Sequence, residues 1–520
     1  MTPALSVVIA VYNAEKTIEK CVESLVLGQL RELQVILVDD GSQDNSWTLC
    51  QELATRYSQV QCIRSPENRG VSHSRNRGLA LAAADYICFV DSDDWVSGQY
   101  GARLLETARA NPDALVLCGL HFLNRVDDYR RVYLWGQECE THTVARENFF
   151  DLHEKFLLPQ LWNKIFRRDV IVSNRLRFDE SQSMGEDFQF VLDYLEASGI
   201  QKCRILDQPL YYYTRTSRNS LMSTFGHSQR EAEFARYAKL RELTGAQDAY
   251  DQALERLKGN FVYHCVRHSR QPKADQLAAI EQITQDGRAN QHYRALQLIR
   301  KKEWAVLTLR QVRQRLALIW GDFWRARNRR VIKSAKAKLG ILPEPVTLLS
   351  QNCIGGVFYK DMGMQFASST VGLYMGSGDF VRFAANLEDY LSRELQLCWG
   401  EEYPIGLLGN LQIHFMHYDT CRQAREAWQR RCGRINRERL MVLCTDRDGF
   451  TDEDFALWKE LPYPKVLFTA NSTYRHHPDS LYFREFAKQG YVDELIPRRK
   501  FYKHGKLVQH IKDCEMRNER

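Results

Sequence analysis

The sequence predicts an α/β protein in which two α/β domains are separated by a helical, basic region. Residues 5 to 120 alternate short runs of Val, Ile and Leu with amphipathic helical patterns. Residues 225 to 340 show helical patterns alone, and two prolines near residue 344 precede a second alternating region. Because 520 residues are too many for one hydrophobic core, we expect domains at 1–224, 225–340 and 341–520.

The overall composition is that of an ordinary globular protein, with 44% hydrophobic and 26% charged residues. Fourteen cysteines occur without a C-x-x-C pair, which is typical of reduced thiols inside the cell. The N-terminus has no charged segment of the signal-peptide type, and no uncharged apolar window approaches the length of a membrane span. We therefore expect a cytoplasmic protein.

Five apolar runs in the first 120 residues predict strands, and helical patterns separate the first four. A parallel sheet covered on both faces is the arrangement that such continuous apolar strands favour. In order, the runs are LSVVIAVYN, LQVILVDDGS, VQCIRSPEN, DYICFV and DALVLCGL.

Four of these strands end in polar residues. The endings are Tyr12-Asn13, Asp39-Asp40-Gly41, Glu67-Asn68 and Asp91-Ser92-Asp93. In an open parallel sheet the ligand lies beyond the carboxyl ends of the strands. The sequence therefore predicts one site at this edge of the sheet.

The run YICFVDSDDW places three aspartates directly after a buried strand. Asp91 and Asp93 share a face if the chain stays extended, and two converging carboxylates favour a hard divalent cation, Mn²⁺ or Mg²⁺. The alternative is that an aspartate or serine here, Asp94 or Ser97, caps the next helix.

The motifs VVIAVYNAEKTIEKCVESL, VDDGSQDNS, ENRGVSHSRNRGL and FVDSDDW occur in this order. Over about residues 5–220 the chain thus resembles the family 2 glycosyltransferases, nucleotide-sugar enzymes with a single GT-A domain. One departure is Val11, where the family usually has proline.

The resemblance implies a role for each residue of the donor site. Tyr12 and Asp39 would line the base and ribose pocket with Asp40 and Asn68 nearby, Asp91 would contact the ribose, Asp93 would bind the metal and Arg75 would face the pyrophosphate. The donor implied is a nucleotide sugar, with UDP favoured.

The segment QSMGEDFQFVLDYL opens an amphipathic helix with Glu186 and Asp187. In the family this pair supplies the catalytic base, which assigns that role to Asp187 with Glu186 adjacent. A neighbouring carboxylate and partial burial both raise proton affinity, which suits a base. The alternative is that both acids only stabilise the first turn of the helix.

Two flanking segments fit the acceptor side. In LPQLWNKIFRRD, Trp162 could stack on an acceptor sugar and Lys164 could meet phosphate, although such residues are more often a core aromatic and a solvated charge. In LYYYTRTSRNSLMS, three tyrosines precede Arg215 and Arg218, and this stretch is a candidate lid over the diphosphate.

Residues 291 to 338 carry 14 Lys and Arg against 2 Asp and Glu, although the whole chain has a net charge of only +7. Tryptophans at 304, 320 and 324 lie within this basic segment. A basic amphipathic helix of this kind predicts peripheral contact with the anionic inner membrane leaflet, with a plain helical linker as the alternative. Nucleic acid is not expected, because the sequence has no recognised binding module.

Between residues 346 and 515 the chain contains the runs VTLLSQNCIGGVFYKDMG, STVGLYMGSGDFVRFAANLEDYL and EYPIGLLGNLQIHFMHYDT. On these runs the region resembles an uncharacterised domain of exopolysaccharide biosynthesis proteins. Polar residues again follow apolar runs in it, which predicts a possible second sugar or phosphate site. The residues are Asn352, His414, His417, Asp446 and Asp448. The alternative is a turn and surface histidines. The spacing after Gly449 excludes an EF-hand, and a matching pair of zinc ligands is absent from the sequence.

Together these features predict a metal-dependent, inverting glycosyltransferase acting on a glycan or lipid-linked acceptor in capsule, exopolysaccharide or O-antigen synthesis. One alternative is a bifunctional enzyme whose C-terminal domain performs a second transfer or decoration. Another is a transferase with a C-terminal module that binds glycan or a partner. A non-catalytic nucleotide-sugar sensor is disfavoured, because the paired acids of both motifs are present.

Overall fold

A computed structural model gives the structure of the protein. It describes residues 3–126, 128–136, 141–182, 184–215, 227–267, 274–285, 287–340, 346–493, 495–505 and 507–512. The chain forms two compact units, 1–311 and 312–520. This division does not decide the three domain boundaries expected from the sequence, which stay a prediction.

Ten strands lie in the described residues of the first unit. They are β1 Leu5–Val11, β2 Leu33–Asp39, β3 Val60–Arg64, β4 Tyr86–Phe89, β5 Trp95–Val96, β6 Leu115–Asn124, β7 Tyr129–Tyr133, β8 Thr141–Ala145, β9 Lys164–Arg167 and β10 Lys202–Arg215. The five strands expected from the apolar runs correspond to β1, β2, β3, β4 and β6.

The helices of the first unit follow the strands closely. They are α1 Ile18–Val26, α2 Ser46–Arg56, α3 Val71–Leu81, α4 Tyr100–Ala110, α5 Phe149–Glu154, α6 Arg168–Ser173, α7 Glu186–Ser198, α8 His227–Thr244, α9 Gln247–Arg267 and α10 Ala274–Thr284. The next helix, α11, spans Ala289–Leu339.

One sheet organises the first unit, in the order β3-β2-β1-β4-β9-β6-β10-β5, with β7 beside β6 and β8 beside β10. Strands β3, β2, β1 and β4 are parallel. Strand β9 is antiparallel to both β4 and β6, while β6 and β10 are parallel to each other. The strand order reverses between β1 and β4, and this is where a ligand site is expected in an open sheet.

Burial explains the apolar runs. Six of the seven residues of β1 are buried, as are six of the seven of β2, because helices cover both faces of the parallel part of the sheet. Glycine is required at one close contact: a Cβ on Gly78 of α3 would lie 2.2 Å from a methyl carbon of Val8. The helix that carries Arg75 therefore packs directly on the central strand.

The second unit has a smaller parallel sheet of β11 Thr347–Ser350, β15 Leu440–Thr445, β16 Lys465–Thr469 and β17 Ser480–Tyr482, in that order. A separate antiparallel sheet contains β12 Gln396–Trp399, β13 Pro404–Leu408 and β14 Leu411–His414. The helices are α12 Ile354–Met362, α13 Ser377–Ala385, α14 Leu387–Ser392, α15 Cys421–Cys432 and α16 Asp452–Lys459. The α/β class predicted from the sequence is thus confirmed in both units.

The basic segment lies in α11, as its helical pattern predicts. Arg327, Arg329 and Arg330 are exposed, whereas the side chains of residues 302–325, which include the three tryptophans, lie outside the described residues. Among the helices that the structure describes, none combines the length and the apolar character needed to cross a membrane.

Candidate active site

The ends of β1, β2 and β4 form the candidate active site of the first unit. These strands are neighbours in the sheet, so their carboxyl ends meet at one edge. Two helices add charged side chains at the same place: α3 carries Arg75, and α7 begins with Glu186 and Asp187. The sequence elements assigned to the donor and to the base are therefore brought together.

Arg75 is the centre of this cluster, and only 4% of its surface is exposed. Its Nη2 donates to Asp91 Oδ1 at 3.0 Å, and its Nη1 donates to Glu186 Oε1 at 3.0 Å and to Asp187 Oδ1 at 2.6 Å. Burial lowers the pKa of Arg75, but the three carboxylates outweigh this and raise its pKa above the usual value. Arg75 is thus a permanent cation that joins the end of β4 to the start of α7. The expectation that it faces a pyrophosphate stays a prediction.

Glu186 and Asp187 occupy the first turn of α7, where the helix dipole favours negative charge. The preceding Gly185 has φ 78°, a left-handed conformation that favours glycine. Burial raises the pKa of Asp187 to about 8; Arg75 opposes this rise, while Glu186 and Asp91 add to it. A carboxyl group that takes up a proton near neutral pH is suited to act as a general base.

Asp93 follows Asp91 by two residues at the end of β4. Asp93 is exposed as a whole, but desolvation of its carboxylate by the surrounding protein, and then the charge of Asp91, raises its pKa to about 6. Within the described parts of the chain, no group of three or more His, Cys, Asp or Glu side chains is arranged to hold a metal ion. A cation at this edge would therefore depend on Asp91 and Asp93 together with oxygen atoms from a substrate, which is a common environment for Mg²⁺.

Asp94 has a role that the sequence did not reveal. It is 1% exposed and accepts hydrogen bonds from Tyr211 Oη at 2.8 Å and from the backbone N–H of Thr214 at 2.7 Å. Burial, with Asp93 and Asp91, raises the pKa of Asp94. Helix α4 begins only at Tyr100, so the helix-cap interpretation of Asp94 is wrong. The chain turns at Ser92 and Asp93, where the N–H of Asp94 donates to the oxygen of Asp91 at 3.1 Å, and no local pattern in the sequence indicates the contact of Asp94 with β10.

Asp39, the last residue of β2, is fully buried. Its Oδ2 accepts from the backbone N–H of Ser42 at 3.3 Å and pairs with Arg64 Nε at 3.1 Å. Its Oδ1 is buried and has no hydrogen-bond partner among the residues described. A buried acceptor without a partner is unfavourable unless a ligand satisfies it. The role of Asp39 at a nucleotide base or ribose stays a prediction that fits this geometry.

Of the other residues predicted at the donor site, Asp40 and Asn68 accept hydrogen bonds from the loop before α3, and Tyr12 is exposed. Asp40 is 3% exposed and accepts from the backbone N–H groups of Arg69 at 3.1 Å and Gly70 at 2.8 Å. These bonds hold the loop before α3, and a contact of Asp40 with substrate stays a prediction. Asn68 Oδ1 accepts from the N–H of Gly70 at 3.1 Å, and Tyr12 is 43% exposed after β1. Ligand contacts of Tyr12 and Asn68 stay predictions.

Trp162 and Lys164 lie in the interior. Trp162 is 3% exposed and stacks on Tyr211 and Tyr213, with ring centroids 4.1 and 5.5 Å apart. Lys164 is fully buried, and its Nζ donates to the backbone oxygens of Leu157 and Gln160, both at 2.6 Å. Burial lowers the pKa of Lys164 to about 7. The predicted contacts of Trp162 with a sugar and of Lys164 with phosphate are therefore wrong for this structure.

Arg215 is the last residue of β10 and is partly exposed. Its Nε is buried and has no hydrogen-bond partner within the described residues. Its predicted contact with a substrate is untested and stays a prediction. Arg218 and the rest of the candidate lid, residues 216–226, lie outside the described residues.

In the second unit, Asp446 follows β15 but does not form an open site. Its Oδ2 accepts from Thr469 Oγ1 at 2.7 Å and from the N–H groups of Ala470 and Asn471 at 2.8 and 3.2 Å. Its Oδ1 accepts from the N–H of Val492 at 2.6 Å. Asp446 is 6% exposed, so the prediction that it handles a sugar or phosphate is wrong: it fastens the loops after β16 and β17.

The other four residues of the predicted second site lie near the edge of this unit. Asn352 Oδ1 accepts from the N–H of Ile354 at 3.1 Å. His414 ends β14, with its Nδ1 3.3 Å from Tyr403 Oη. His417 and Asp448 are exposed. Sequence reasoning did not single out Cys353, whose Sγ is 3.4 Å from His417 Nε2.

Comparisons with known proteins divide the chain in the same way as the motifs. Residues 6–173 match "Glycosyl transferase family 2", and residues 325–517 match a domain of unknown function, DUF1919. The resemblances inferred from the sequence are thus confirmed for both regions.

Two relatives are glycosyltransferases of Bacillus subtilis (strain 168). The chain is 34% identical over 225 residues to the "Uncharacterized glycosyltransferase EpsJ", covering 42% of this chain and 63% of EpsJ. It is 30% identical over 240 residues to the "Putative glycosyltransferase EpsH", covering 45% of this chain and 67% of EpsH. The chain thus spans about two thirds of the length of each relative.

Among solved structures, that of S. aureus TarS residues 1–349 in complex with UDP-GlcNAc has a TM-score of 0.41 and 18% sequence identity. The match covers 54% of this chain and 79% of TarS 1–349.

Proposed function

Because the chain belongs to glycosyl transferase family 2, we propose that it transfers a sugar from a nucleoside diphosphate donor to a hydroxyl group of a glycan or lipid-linked acceptor. The observation that carries this proposal is the position of Arg75, which holds Asp91 of the predicted donor side against Glu186 and Asp187 of the predicted base. We assign the reaction to capsule, exopolysaccharide or O-antigen synthesis.

In the proposed mechanism, Asp187 accepts the proton of the acceptor hydroxyl as the hydroxyl oxygen attacks the anomeric carbon. The bond between that carbon and the diphosphate oxygen breaks, and the nucleoside diphosphate leaves. One displacement of this kind inverts the anomeric configuration. The raised pKa of Asp187 supports the assignment, because a carboxylate of ordinary acidity binds a proton too weakly to be an efficient base.

Arg75 and Asp94 position the reacting groups in this proposal. Arg75 restrains Asp187 by a 2.6 Å hydrogen bond and prevents three clustered carboxylates from repelling one another. Asp94 ties the end of β4 to β10 through Tyr211 and Thr214. Both contacts fix side-chain positions before substrate arrives, and this lowers the entropy cost of reaching the transition state.

We further propose that Mn²⁺ or Mg²⁺ assists the reaction. Asp93 and Asp91 would hold the ion, and the carboxylate oxygens present at this edge fit the preference of these metals. The charge of Asp91 contributes to the raised pKa of Asp93, and this supports the assignment because a nearby cation would offset the repulsion between the two carboxylates. When bound, the ion would supply Lewis-acid stabilisation of the diphosphate leaving group.

UDP is the favoured nucleotide. The unpartnered Oδ1 of Asp39 supports this choice, because a buried carboxylate oxygen can accept a hydrogen bond from a base N–H such as that of uracil. A cytoplasmic location, with peripheral contact at the inner membrane leaflet, fits a lipid-linked acceptor. The exposed Arg327, Arg329 and Arg330 support that contact.

The function is tested by incubating the purified full-length protein with a panel of nucleotide sugars and Mn²⁺ and measuring release of nucleoside diphosphate. We expect turnover of one or a few UDP-sugars. The variant Asp187→Asn keeps the side-chain shape but loses proton acceptance, so transfer should fall by roughly 10²–10⁴-fold while donor binding persists.

The matched control is Asp193→Asn, because Asp193 lies on the same helix and pairs with Lys239 on α8. It should retain turnover. Equal activity of the Asp187→Asn and wild-type proteins would move the base elsewhere, with Glu186 as the next candidate. A complete lack of donor turnover across the panel would contradict the proposed reaction.

The alternatives for the C-terminal unit are a second transfer or decoration and a module that binds glycan or a partner. The contact between the Cys353 thiol and the His417 imidazole favours a second activity, because such a pair is suited to nucleophilic catalysis.

A further inference from the structure

The end of β11 in the second unit places a thiol beside an imidazole. Cys353 lies between β11 and the first residue of α12, and its Sγ is 3.4 Å from Nε2 of His417. His417 lies three residues beyond the end of β14. Residues more than 60 positions apart are thus brought within hydrogen-bonding distance for a sulfur donor.

The surroundings of this pair form a polar edge that solvent can reach. Cys353 is partly exposed, and His417 is exposed. The backbone N–H of Met375 donates to the backbone oxygen of Gln351 at 3.1 Å, and this bond places the chain around Met375 beside the end of β11. Tyr374 pairs with His414 through both backbone groups, and their ring centroids are 5.3 Å apart. A small substrate can therefore approach the thiol from the solvent side.

The neighbouring hydrogen bonds show why the thiol would need a base. Burial raises the pKa of Cys353, so the group is protonated at neutral pH. The helix N-terminus does little to oppose this, because its first two amides already donate elsewhere: Ile354 N to Asn352 Oδ1 at 3.1 Å and Gly355 N to Ser350 Oγ at 3.2 Å. His417 is the group placed to accept the thiol proton.

Other thiol chemistry is not supported at this position. All described cysteines are free, so Cys353 has no disulfide partner among them. The described residues also contain no cluster of three or more metal-ligating side chains. A thiol beside an imidazole is suited to covalent attack on a carbon electrophile, and acyl carbonyls are a common target of this pair.

We propose that Cys353 and His417 are the nucleophile and base of an acyl-transfer centre in the C-terminal unit. His417 Nε2 takes the proton of Sγ, sulfur bonds to the carbonyl carbon of an acyl ester or thioester, and the bond to the leaving group breaks. The leaving oxygen or sulfur receives the proton from His417. Cys353 then carries the acyl group as a thioester.

In the second half of the reaction, an acceptor hydroxyl attacks the thioester carbon and gives its proton to His417. The carbon–sulfur bond breaks, and His417 returns the proton to the thiolate. The net change moves one acyl group to a hydroxyl and requires no oxidant or reductant. That the hydroxyl belongs to a sugar rests on the proposed glycosyltransferase function, whereas acylation of Cys353 does not.

The test uses p-nitrophenyl acetate as the acyl donor and the full-length protein. We expect a burst of p-nitrophenolate, one acetyl group by intact mass, and acetylation of the Cys353 peptide in a digest. His417→Gln keeps hydrogen-bonding capacity but loses the base, so acylation should slow by roughly 10²-fold or more. Cys353→Ala should abolish the burst.

The matched controls are Cys432→Ala, a partly exposed thiol whose pKa burial also raises, and His476→Gln, an exposed histidine of the same unit. Both should acylate like the wild-type protein. The digest of the acetylated wild-type protein locates the acetyl group directly, so this result does not depend on whether a variant folds. A wild-type protein that gains no acetyl group, gains it mainly on other cysteines, or reacts equally fast as His417→Gln would overturn the proposal.

Discussion

Two strands of this protein end in a pair of aspartates separated by one residue, and the two pairs have different surroundings. After β4, Asp91 accepts a hydrogen bond from Arg75, and Asp93 is exposed. After β15, Asp446 points inward to four hydrogen-bond donors, and Asp448 is exposed. The same local pattern thus provides a candidate ligand site in one unit and hydrogen bonds that stabilise loops in the other.

The difference comes from what other parts of the chain supply at each strand end. At the end of β4, Arg75 of α3 and the two acids that begin α7 come from distant parts of the sequence. Three carboxylates therefore share one guanidinium, and some of their oxygen atoms remain available to a ligand. At β15, backbone N–H groups of the next loops satisfy both oxygens of Asp446. A paired-aspartate motif therefore indicates a site only where its hydrogen-bonding capacity is left available.

The largest expected effect compares the two pairs directly. Asp93→Ala should abolish sugar transfer while the protein stays folded, because Asp93 is proposed to bind a cation. Asp448→Ala should leave transfer unchanged. Turnover with a nucleotide sugar and Mn²⁺, with and without EDTA, provides the measurement. Near-normal, EDTA-resistant turnover by Asp93→Ala would rule out the metal assignment.

Asp446→Asn should lower stability and leave sugar transfer intact, whereas Asp93→Ala should abolish transfer and leave the fold intact. The substitution places an NH₂ group against backbone N–H donors, which should destabilise the C-terminal unit by about 2–4 kcal/mol. Sugar transfer by the first unit should persist. Hydrogen exchange of β16 and the adjacent loop, compared with Asp448→Asn, measures the effect. Unchanged protection in Asp446→Asn would mean that these bonds contribute little to stability.

The pH dependence of sugar transfer should report the ionisation of Asp187 in the first unit. Asp187 must be ionised to accept a proton, and its pKa is raised to about 8, so the ionised fraction falls as the pH is lowered below 8. We expect kcat/KM to drop by about tenfold per pH unit between pH 8 and pH 6. A flat profile between pH 6 and 8 would contradict the assignment of Asp187.

The smallest expected effect concerns α11, which contains neither aspartate pair. If its basic residues contact anionic lipid, each should contribute roughly 1 kcal/mol, screened by salt. Replacing Arg325, Arg327, Arg329 and Arg330 together should weaken flotation with anionic vesicles at low salt and leave activity on a soluble acceptor unchanged. A wild-type protein that ignores such vesicles would leave α11 as a helical linker.

The family and the fold class were predictable from the sequence. Four motifs in order identified the glycosyltransferase family, and the alternating apolar runs predicted the α/β class, both of which are confirmed. The sequence also predicted that Asp91 and Asp187 belong to one site, and the structure brings them to the same guanidinium. Their chemical roles stay predictions.

The sequence determined these features because strand burial, helix periodicity and motif order are local properties of the chain. Only the tertiary structure decided which polar side chains are already satisfied. Trp162 and Lys164 look like candidate binding residues but are covered by Tyr211 and by backbone oxygens, and Cys353 shows no local sign of its contact with His417. Hydrogen bonds and burial between distant segments set the availability of each group, and no local pattern encodes them.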